Sequence, residues 1–364
     1  MKVALVYDRV NKIGGAERVL TALHTIWPEA PLYTAVYNPE TASWASDFKV
    51  MTSFLQSFPM AKRHPEVYLP LTPLAFESFD FSSFDVVISV TSAEAKGIIT
   101  GVKTLHLCYC LTPTRYLWSG FWEYKIPLVA KPFLSRLRLW DQVASNRPDG
   151  YLAISKTVAA RINKYYRKEA EVIYPPVDTE KFQITSTKSQ TGDYFLIVSR
   201  LVPYKRIDLA IEAFNTLGLP LKIIGMGSEE GKLKRMVNKN IEFLGQLTDT
   251  QVLGYYQDCQ AVIFPGVEDF GLVPLEAAAC GAPTIAYGSG GALETIIAGK
   301  TGELFFPQTA GALIEKIKGF KRRNYQAGDC RNQAEKFKEE EFREKFSRVV
   351  EREWKIYTKN IFTF

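Results

Sequence analysis

The sequence is poor in histidine and cysteine, the residues from which most metal sites are built. Three histidines and five cysteines are spread over 364 residues. An odd, scattered set of cysteines predicts reduced thiols in the cytoplasm rather than a disulfide framework. The one close pair, Cys108 and Cys110, lies on a predicted strand without a second Cys/His pair at zinc spacing. We therefore expect buried free thiols.

Long apolar runs and a strong net charge are also missing. No stretch approaches the roughly 20 uninterrupted apolar residues of a transmembrane helix. The run that begins at Met1 becomes charged within nine residues, so we predict neither a signal peptide nor a membrane anchor there. A net charge of +6 does not favour nucleic acid as a partner, but it suits weak attraction to anionic lipid or to phosphorylated ligands.

What is present is the composition of a folded globular protein, with 46% hydrophobic and 23% charged residues. The length favours two domains. Short apolar strands alternate with amphipathic helical patterns, which predicts parallel, doubly wound α/β sheets. The pattern restarts after the stiff Val172–Asp178 segment, so we predict two Rossmann-like domains facing a cleft, over residues 1–180 and 181–345. A C-terminal helix at 346–364 is expected to pack back on the first domain.

The strongest motif is the segment from Phe264 to Ala277. A predicted buried strand is followed by a glycine-containing loop and by a helix that we expect to open at Pro274, a residue favoured in a first turn. Backbone N–H groups at such a helix start bind anions and hydroxyls. Glu268 and Glu276, eight positions apart, are suited to sugar hydroxyls at the carboxyl ends of the strands. The alternative is a solvated Glu268 and a Glu276 that only complements the helix dipole.

A second motif, Ser199–Asp208, follows the first predicted strand of the second domain and precedes a helix. This is where such folds hold phosphate. Arg200 offers a planar fork and Lys205 a compact charge, so the two could converge on a diphosphate. The alternative is an exposed basic turn capped by Asp208.

Two glycine motifs are weaker. Gly14 and Gly15 open the first helix, where paired glycines allow close approach of a phosphate to the backbone. Gly225–Gly231 is similar to a dinucleotide fingerprint. It follows the second strand of its domain and carries two acidic residues in the turn, which disfavours NAD(P) binding.

The paired glycines, the basic pair and the two spaced glutamates together resemble glycosyltransferase family 4, retaining enzymes of GT-B architecture. The resemblance runs nearly end to end and includes Val172–Asp178 and Cys280–Ala286 with the following Gly290 and Gly291. The segment Tyr109–Trp118 resembles the branch with bacterial mannosyltransferases of O-antigen and exopolysaccharide assembly.

The resemblance implies a role for each motif. Arg200 and Lys205 would neutralise the departing diphosphate, to which Gly15, beside Gly14, would donate an N–H. Glu276 would hold the donor ribose and Glu268 the donor-sugar hydroxyls. The sugar pocket would be lined by the backbone of Phe270, Gly271, Leu272 and Val273. Such enzymes need no metal or other cofactor, and this sequence has no Asp-x-Asp motif.

Two further residues are candidates on the acceptor side. Related sequences often have a histidine where this chain has Leu111. His106 lies five residues earlier on a predicted strand, where a lone histidine is more often structural. Arg115 lies in the branch-specific segment and is a candidate acceptor contact.

The stretch from Trp118 to Trp140 interleaves four basic residues and one acidic residue with large aromatic side chains. This mixture suits the surface of a membrane that carries lipid-linked sugars, and Trp122, Arg136 and Arg138 are the expected contacts. The alternative is an amphipathic core helix with a basic outer face.

The sequence thus predicts a cytoplasmic, peripheral hexosyltransferase. Its expected partners are a nucleotide-sugar donor, foremost GDP-mannose, and a glycan acceptor that is lipid-linked. A UDP-hexose donor is the alternative within the class. The alternatives from other classes are a dinucleotide-dependent oxidoreductase and an inactive sugar-nucleotide-binding subunit.

Overall fold

The computed structural model describes residues 1–12, 14–121, 131–184 and 192–361. The chain divides into two compact units. The first comprises Met1–Pro176 and Glu340–Phe364, and the second comprises Val177–Glu339. Val177 is tied to the second unit because its amide donates to the Phe337 carbonyl at 2.8 Å. The change of unit therefore falls slightly before the boundary predicted at residue 180.

The first unit contains a seven-stranded parallel sheet in the order β3-β2-β1-β4-β5-β6-β7. Its strands are β1 Val3–Tyr7, β2 Leu32–Thr34, β3 Val50–Thr52, β4 Val86–Thr91, β5 Leu105–Cys110, β6 Gly150–Ala153 and β7 Glu171–Val172. Its α-helices are α1 Gly15–Ile26, α2 Thr72–Glu77, α3 Lys131–Ala144, α4 Lys156–Tyr166 and, at the end of the chain, α12 Glu339–Ile361.

The second unit contains a six-stranded parallel sheet in the order β10-β9-β8-β11-β12-β13. Its strands are β8 Phe195–Val198, β9 Leu221–Ile224, β10 Ile241–Gly245, β11 Val262–Phe264, β12 Thr284–Tyr287 and β13 Gly302–Phe305. Its helices are α5 Ile207–Leu217, α6 Glu230–Lys234, α7 Asp249–Asp258, α8 Leu272–Ala279, α9 Ala292–Thr295, α10 Ala310–Gly319 and α11 Ala327–Glu335.

Both sheets reverse their strand order at one point, and this fixes where ligands can bind. The reversal lies between β1 and β4 in the first unit and between β8 and β11 in the second. In open α/β sheets the crevice outside the carboxyl ends of such neighbouring strands is the binding position. In the second unit the loops after β8 and β11 carry the two strongest sequence motifs.

The last helix completes the core of the first unit. Phe342 and Phe346 on α12 are buried, and their rings lie 6.1 and 5.4 Å from that of Tyr109 on β5. Trp27, directly after α1, contacts Phe346 edge-on at 6.2 Å. The helix begins at Glu339, seven residues before the start predicted for it. The aromatic contacts explain why it folds with the first unit.

No helix in the described part of the chain is long and apolar enough to cross a membrane. All five cysteines are buried and unpaired, as predicted for Cys108 and Cys110; the other three are Cys259, Cys280 and Cys330.

Candidate functional site

The loops after β8 and β11 touch through a glycine. A Cβ placed on Gly266 would lie 2.8 Å from the Cα of Lys205 and 2.8 Å from the carbonyl oxygen of Tyr204. Only glycine allows this approach without displacing backbone. The contact brings Lys205 and Glu268 together, and the Lys205 Nζ pairs with Glu268 Oε1. Two residues 63 positions apart in sequence therefore meet at the point where the strand order reverses.

Arg200 lies at the entrance of the same loop. Its side chain is exposed, and its Nη2 donates to the hydroxyl of Tyr204 at 2.8 Å. Tyr204 lies inside the Ser199–Asp208 motif, but sequence reasoning did not identify it; its spacing of four residues from Arg200 was the available signal. The contact restrains the guanidinium while leaving it at the surface.

The helix after β11 begins two residues earlier than predicted, at Leu272 instead of Pro274. Its N-cap is Gly271 with φ +93°, a backbone conformation that favours glycine. Among the described residues, the amides of Gly271, Leu272 and Val273 find no backbone acceptor. These three N–H groups are available as donors at the start of α8, and their role toward sugar hydroxyls stays a prediction.

Glu276 lies in the second turn of α8 and is buried. Its Oε2 accepts a hydrogen bond at 3.1 Å from the hydroxyl of Tyr256, a fully buried residue on α7. Sequence reasoning did not identify Tyr256. The sequence spacing of α7 and α8 does not predict a contact between two residues 20 positions apart. Glu276 is therefore held by a residue of another helix, and its role toward the donor ribose stays a prediction.

The loop that carries Glu268 is braced from behind by Gly290 and Gly291. The Gly291 amide donates to the Glu268 carbonyl at 2.9 Å. A Cβ on Gly291 would lie 1.9 Å from the Phe270 carbonyl oxygen, so a larger residue would displace the loop. Phe270 itself is buried, and its ring lies 5.7 Å from that of Phe337.

The dinucleotide-like glycines have a packing explanation. A Cβ on Gly225 would lie 1.9 Å from the Ser199 carbonyl oxygen, and one on Gly227 would lie 2.3 Å from that of Leu201. Both glycines therefore allow the turn after β9 to press against the loop that carries Arg200. The Gly225–Gly231 motif therefore contributes close backbone packing against the loop that carries Arg200.

The predicted phosphate contact of the first unit has an acidic neighbour. Gly14 is the N-cap of α1, and Gly15 is its first residue. Glu17 is buried below them, with its Oε1 accepting from the Tyr7 hydroxyl at 3.2 Å. Its Oε2 lies 3.1 Å from a Cβ placed on Gly14. Burial raises the pKa of Glu17. The role of Gly15 toward a diphosphate stays a prediction.

His106 is fully buried at the start of β5, away from the carboxyl end of the strand. Its Nε2 lies 2.8 Å from the Ser89 hydroxyl on β4. Burial, and next the charge of Arg147, lowers the pKa of His106 to about 3. Its catalytic role stays a prediction, and this environment favours the structural alternative.

The carboxyl edge of the first sheet is built around two buried carboxylates. Asp8 Oδ1 accepts from the Thr91 hydroxyl at 2.7 Å and from the Ala95 amide at 2.9 Å. Glu94 pairs with Arg9 at 2.9 Å and accepts from the Tyr116 hydroxyl. The loops after β1, β4 and β5 are thereby locked together.

Arg115, the candidate acceptor contact, precedes Tyr116 at this edge and is half-buried. Its side chain packs over Gly120, where a Cβ would lie 2.7 Å from Arg115 Cγ.

The basic-aromatic segment divides into inner and outer residues. Arg138 lies over the rings of Phe121 and Trp118, at 4.9 and 5.8 Å, and donates to the Leu117 carbonyl. It is thus part of the packing rather than of an open surface. Arg136, with Leu139 at 70% and Val143 at 62% exposure, forms the outer face of α3. Trp122 lies outside the described residues.

The second unit is similar to a known protein family. The family model for glycosyl transferases group 1 matches residues 178–337, which is nearly the whole second unit. The second unit is therefore a domain of this family, and the predicted resemblance to glycosyltransferase family 4 is confirmed.

Two curated relatives cover about half of the chain each. An uncharacterised glycosyltransferase of Methanocaldococcus jannaschii is 31% identical over 187 residues, which are 50% of this chain and 52% of the relative. The alpha-1,3/1,6-mannosyltransferase ALG2 of Dictyostelium discoideum is 24% identical over 249 residues, with 55% and 58% coverage. The chain thus spans about half the length of the curated relatives it matches.

A solved structure covers the whole fold. Anabaena HepE, determined in complex with UDP-glucose, matches with a TM-score of 0.72 over 97% of this chain and 100% of that chain, at 17% identity. The predicted fold, two Rossmann-like parallel-sheet domains of GT-B type, is confirmed.

Proposed function

We propose that this protein is a retaining, metal-independent glycosyltransferase that uses a nucleotide-sugar donor. The observation that carries the proposal is the meeting of Lys205 and Glu268 at the reversal point of the second sheet, with Arg200 on the same loop. This constellation lies inside the segment matched by the group 1 glycosyl transferase model.

The chemistry follows from the charges. When the bond between sugar and diphosphate breaks, negative charge grows on the leaving phosphate. Arg200 and Lys205 supply two cations there, and preorganised charge of this kind is usually the largest catalytic contribution. The amides of Gly271, Leu272 and Val273, together with Glu268, would hold the sugar hydroxyls. With the cations in place, the leaving phosphate itself can take the acceptor proton from the same face, which retains the configuration.

We propose mannose, carried by GDP, as the transferred sugar. The similarity to a mannosyltransferase over 249 residues supports this choice. A UDP-hexose is the alternative, supported by the structural likeness to a protein solved with UDP-glucose. An oxidoreductase is disfavoured because the glycines on which it would depend serve loop packing. An inactive subunit is disfavoured because the four charged residues of the candidate site are all present: Arg200, Lys205, Glu268 and Glu276.

The proposed acceptor is a lipid-linked glycan at the cytoplasmic face of a membrane. The outer face of α3 joins Arg136 to two exposed aliphatic side chains, Leu139 and Val143. A cation beside exposed apolar surface suits an interface with anionic lipid. The five buried unpaired cysteines agree with a reducing compartment.

A donor-hydrolysis screen over GDP- and UDP-sugars tests the proposal. We expect turnover of one nucleotide sugar, GDP-mannose first, in the presence of EDTA, with the released sugar in the donor's anomeric configuration by NMR. Activity that is abolished by EDTA and restored by magnesium or manganese would contradict metal independence. Release of the opposite anomer would contradict retention. Turnover of no nucleotide sugar would contradict the class.

A further inference from the structure

A buried phenol contacts the carboxylate that the proposed function assigns to the donor ribose. Tyr256 on α7 has no exposed surface, and its ring packs edge-on against Phe182 at 5.9 Å. Its hydroxyl donates to Glu276 Oε2 at 3.1 Å. A buried tyrosine hydroxyl almost always finds a partner. Here the partner belongs to the candidate site, so the contact joins the core of the second unit to the site.

The hydrogen bond from Tyr256 fixes one oxygen of the Glu276 carboxylate. The terminal torsion of a glutamate is broad, so an unrestrained carboxylate samples many orientations. A ribose offers vicinal hydroxyls, and both can be bound only by a carboxylate of the correct orientation. The Tyr256 hydroxyl, hydrogen-bonded to one oxygen of Glu276, sets that orientation before the nucleotide binds. This reduces the entropy cost of ordering the carboxylate on binding.

We propose that Tyr256 is a positioning residue that, through Glu276, sets a preference for ribonucleotide over 2′-deoxyribonucleotide donors. The inference rests on the proposed function, because it takes the ribose as the ligand of Glu276. It adds the residue that orients this ligand and the specificity that results. If Tyr256 were only a core residue, its hydroxyl would affect stability but would not distinguish two nucleotides that differ by one ribose oxygen.

The experiment measures the dissociation constants of GDP, UDP and their 2′-deoxy forms by calorimetry on the full chain. The variant is Tyr256→Phe. The matched control is Tyr194→Phe, because the Tyr194 hydroxyl also makes a 3.1 Å hydrogen bond in the second unit, but to the carbonyl oxygen of Tyr255. For the wild-type protein we expect the ribonucleotide to bind at least about tenfold more tightly than its 2′-deoxy form, the value of one hydrogen bond to a charged group.

Tyr256→Phe should reduce this ratio about fivefold and change the affinity for the deoxynucleotide little. Tyr194→Phe should leave the ratio unchanged. In a Glu276→Gln background, Tyr256→Phe should have no further effect on the ratio, since its effect passes through the carboxylate.

Nucleotide binding with the full ribose preference in Tyr256→Phe overturns this inference and leaves the proposed function intact. Failure of the wild-type protein to bind either diphosphate overturns both. Should Tyr256→Phe not fold, as judged by circular dichroism, Tyr256→Met tests the same contact, because it removes the hydroxyl and fills the buried site with a flexible apolar side chain while Glu276 is kept. The same loss of ribose preference is expected, and an unchanged preference overturns the inference.

Discussion

Two lysine–carboxylate pairs in this protein have opposite surroundings. In the first unit, Lys96 Nζ lies 2.5 Å from Asp141 Oδ1, and the two side chains are only 2% and 1% exposed. In the second unit, the side chains of Lys205 and Glu268 are 11% and 22% exposed. The first pair is closed off from ligands, whereas the second lies on loops at the reversal point of a sheet.

The difference lies in what surrounds each carboxylate. Asp141 also accepts from the Thr114 hydroxyl at 2.6 Å, from the Trp118 indole at 2.7 Å and from the Tyr166 hydroxyl at 2.9 Å. This saturated network fastens α3 to the segment after β5. The pair in the second unit is partly exposed, and its Glu268 lies on the loop that leads into α8. A ligand phosphate could replace Glu268 as the partner of Lys205, and a ligand hydroxyl could replace Lys205 as the partner of Glu268. A lysine–carboxylate pair therefore serves structure in one unit and, by our proposal, catalysis in the other.

The largest effect is expected from Lys96→Met, which leaves the Asp141 charge buried and unpaired. Burial lowers the pKa of Lys96, but the charge of Asp141, its hydrogen bond to the lysine and smaller contributions from nearby groups together raise it, so the lysine is charged in the native protein. Removing one partner of a buried pair costs about 3–5 kcal/mol in the free energy of unfolding. Urea denaturation measures it. The control is Lys232→Met, which removes an exposed lysine paired with Glu229 and should leave the free energy of unfolding nearly unchanged. Equal losses in the two variants would contradict the structural role.

Arg200→Ala and Lys205→Ala should each slow the chemical step about a hundredfold, or about 3 kcal/mol in the barrier, and weaken donor binding less. The reason is that their charges oppose a negative charge that grows during the reaction. Single-turnover kinetics with saturating acceptor measure this. Lys232→Ala, an exposed lysine in the same unit, serves as the control. An unchanged chemical step would mean that the diphosphate binds elsewhere.

Glu276→Ala should behave differently, because a ribose contact is nearly the same in the ground state and the transition state. We expect the Michaelis constant for the donor to rise about tenfold while kcat changes little. Steady-state kinetics with varied donor separate the two constants. A fall in kcat as large as that of Lys205→Ala would place Glu276 nearer to the breaking bond than proposed.

The pH dependence of stability tests the assignment of His106. Its pKa in the folded protein, about 3, lies below the unfolded value of roughly 6.5, so only the unfolded chain takes up the proton between these values. The contribution of His106 to the free energy of unfolding is therefore fully present above about pH 6.5. It is lost as the pH falls toward 3, by up to about 1.4 kcal/mol per pH unit.

His106→Gln should flatten this slope in urea denaturation at a series of pH values. The transfer rate at neutral pH should remain close to that of the wild-type protein. A large loss of rate without a change in the slope would support the catalytic alternative instead.

The smallest effect is expected at the outer face of α3. Arg136→Gln with Leu139→Ser and Val143→Ser should reduce binding to phosphatidylserine vesicles several-fold, since a basic residue at such a surface contributes about 1 kcal/mol. Donor hydrolysis should be unaffected. Leu293→Ser, at an exposed aliphatic residue of the second unit, is the control. Equal partitioning of all three proteins in a sedimentation assay would reject membrane contact by this face.

The apolar pattern predicted strands in both sheets, because apolar runs such as Val3–Tyr7 and Leu105–Cys110 are fully buried. It did not predict β2, β3 or β13. These strands read LYT, VMT and GELF, so each lacks the uninterrupted apolar run that indicates a buried strand. Helix α12 was expected only in part, since its polar first turn carries no apolar stripe.

The candidate site was predicted where residues close in sequence share a loop, as Arg200 and Lys205 do. The pairing of Lys205 with Glu268 follows from strand order, and the contact of Tyr256 with Glu276 follows from the packing of two helices. Neither is encoded in local spacing. The resemblance to a family predicted what each site residue does, whereas the structure shows which residues contact one another.

The most direct test of the central claim is a calorimetric titration of the full chain with GDP, UDP and NAD, repeated with the Arg200→Ala Lys205→Ala double variant. We expect saturable binding of one diphosphate to the wild-type protein, a loss of at least tenfold in affinity in the double variant, and no binding of NAD. Binding of NAD in the absence of binding by either diphosphate would contradict the account, as would full diphosphate affinity in the double variant.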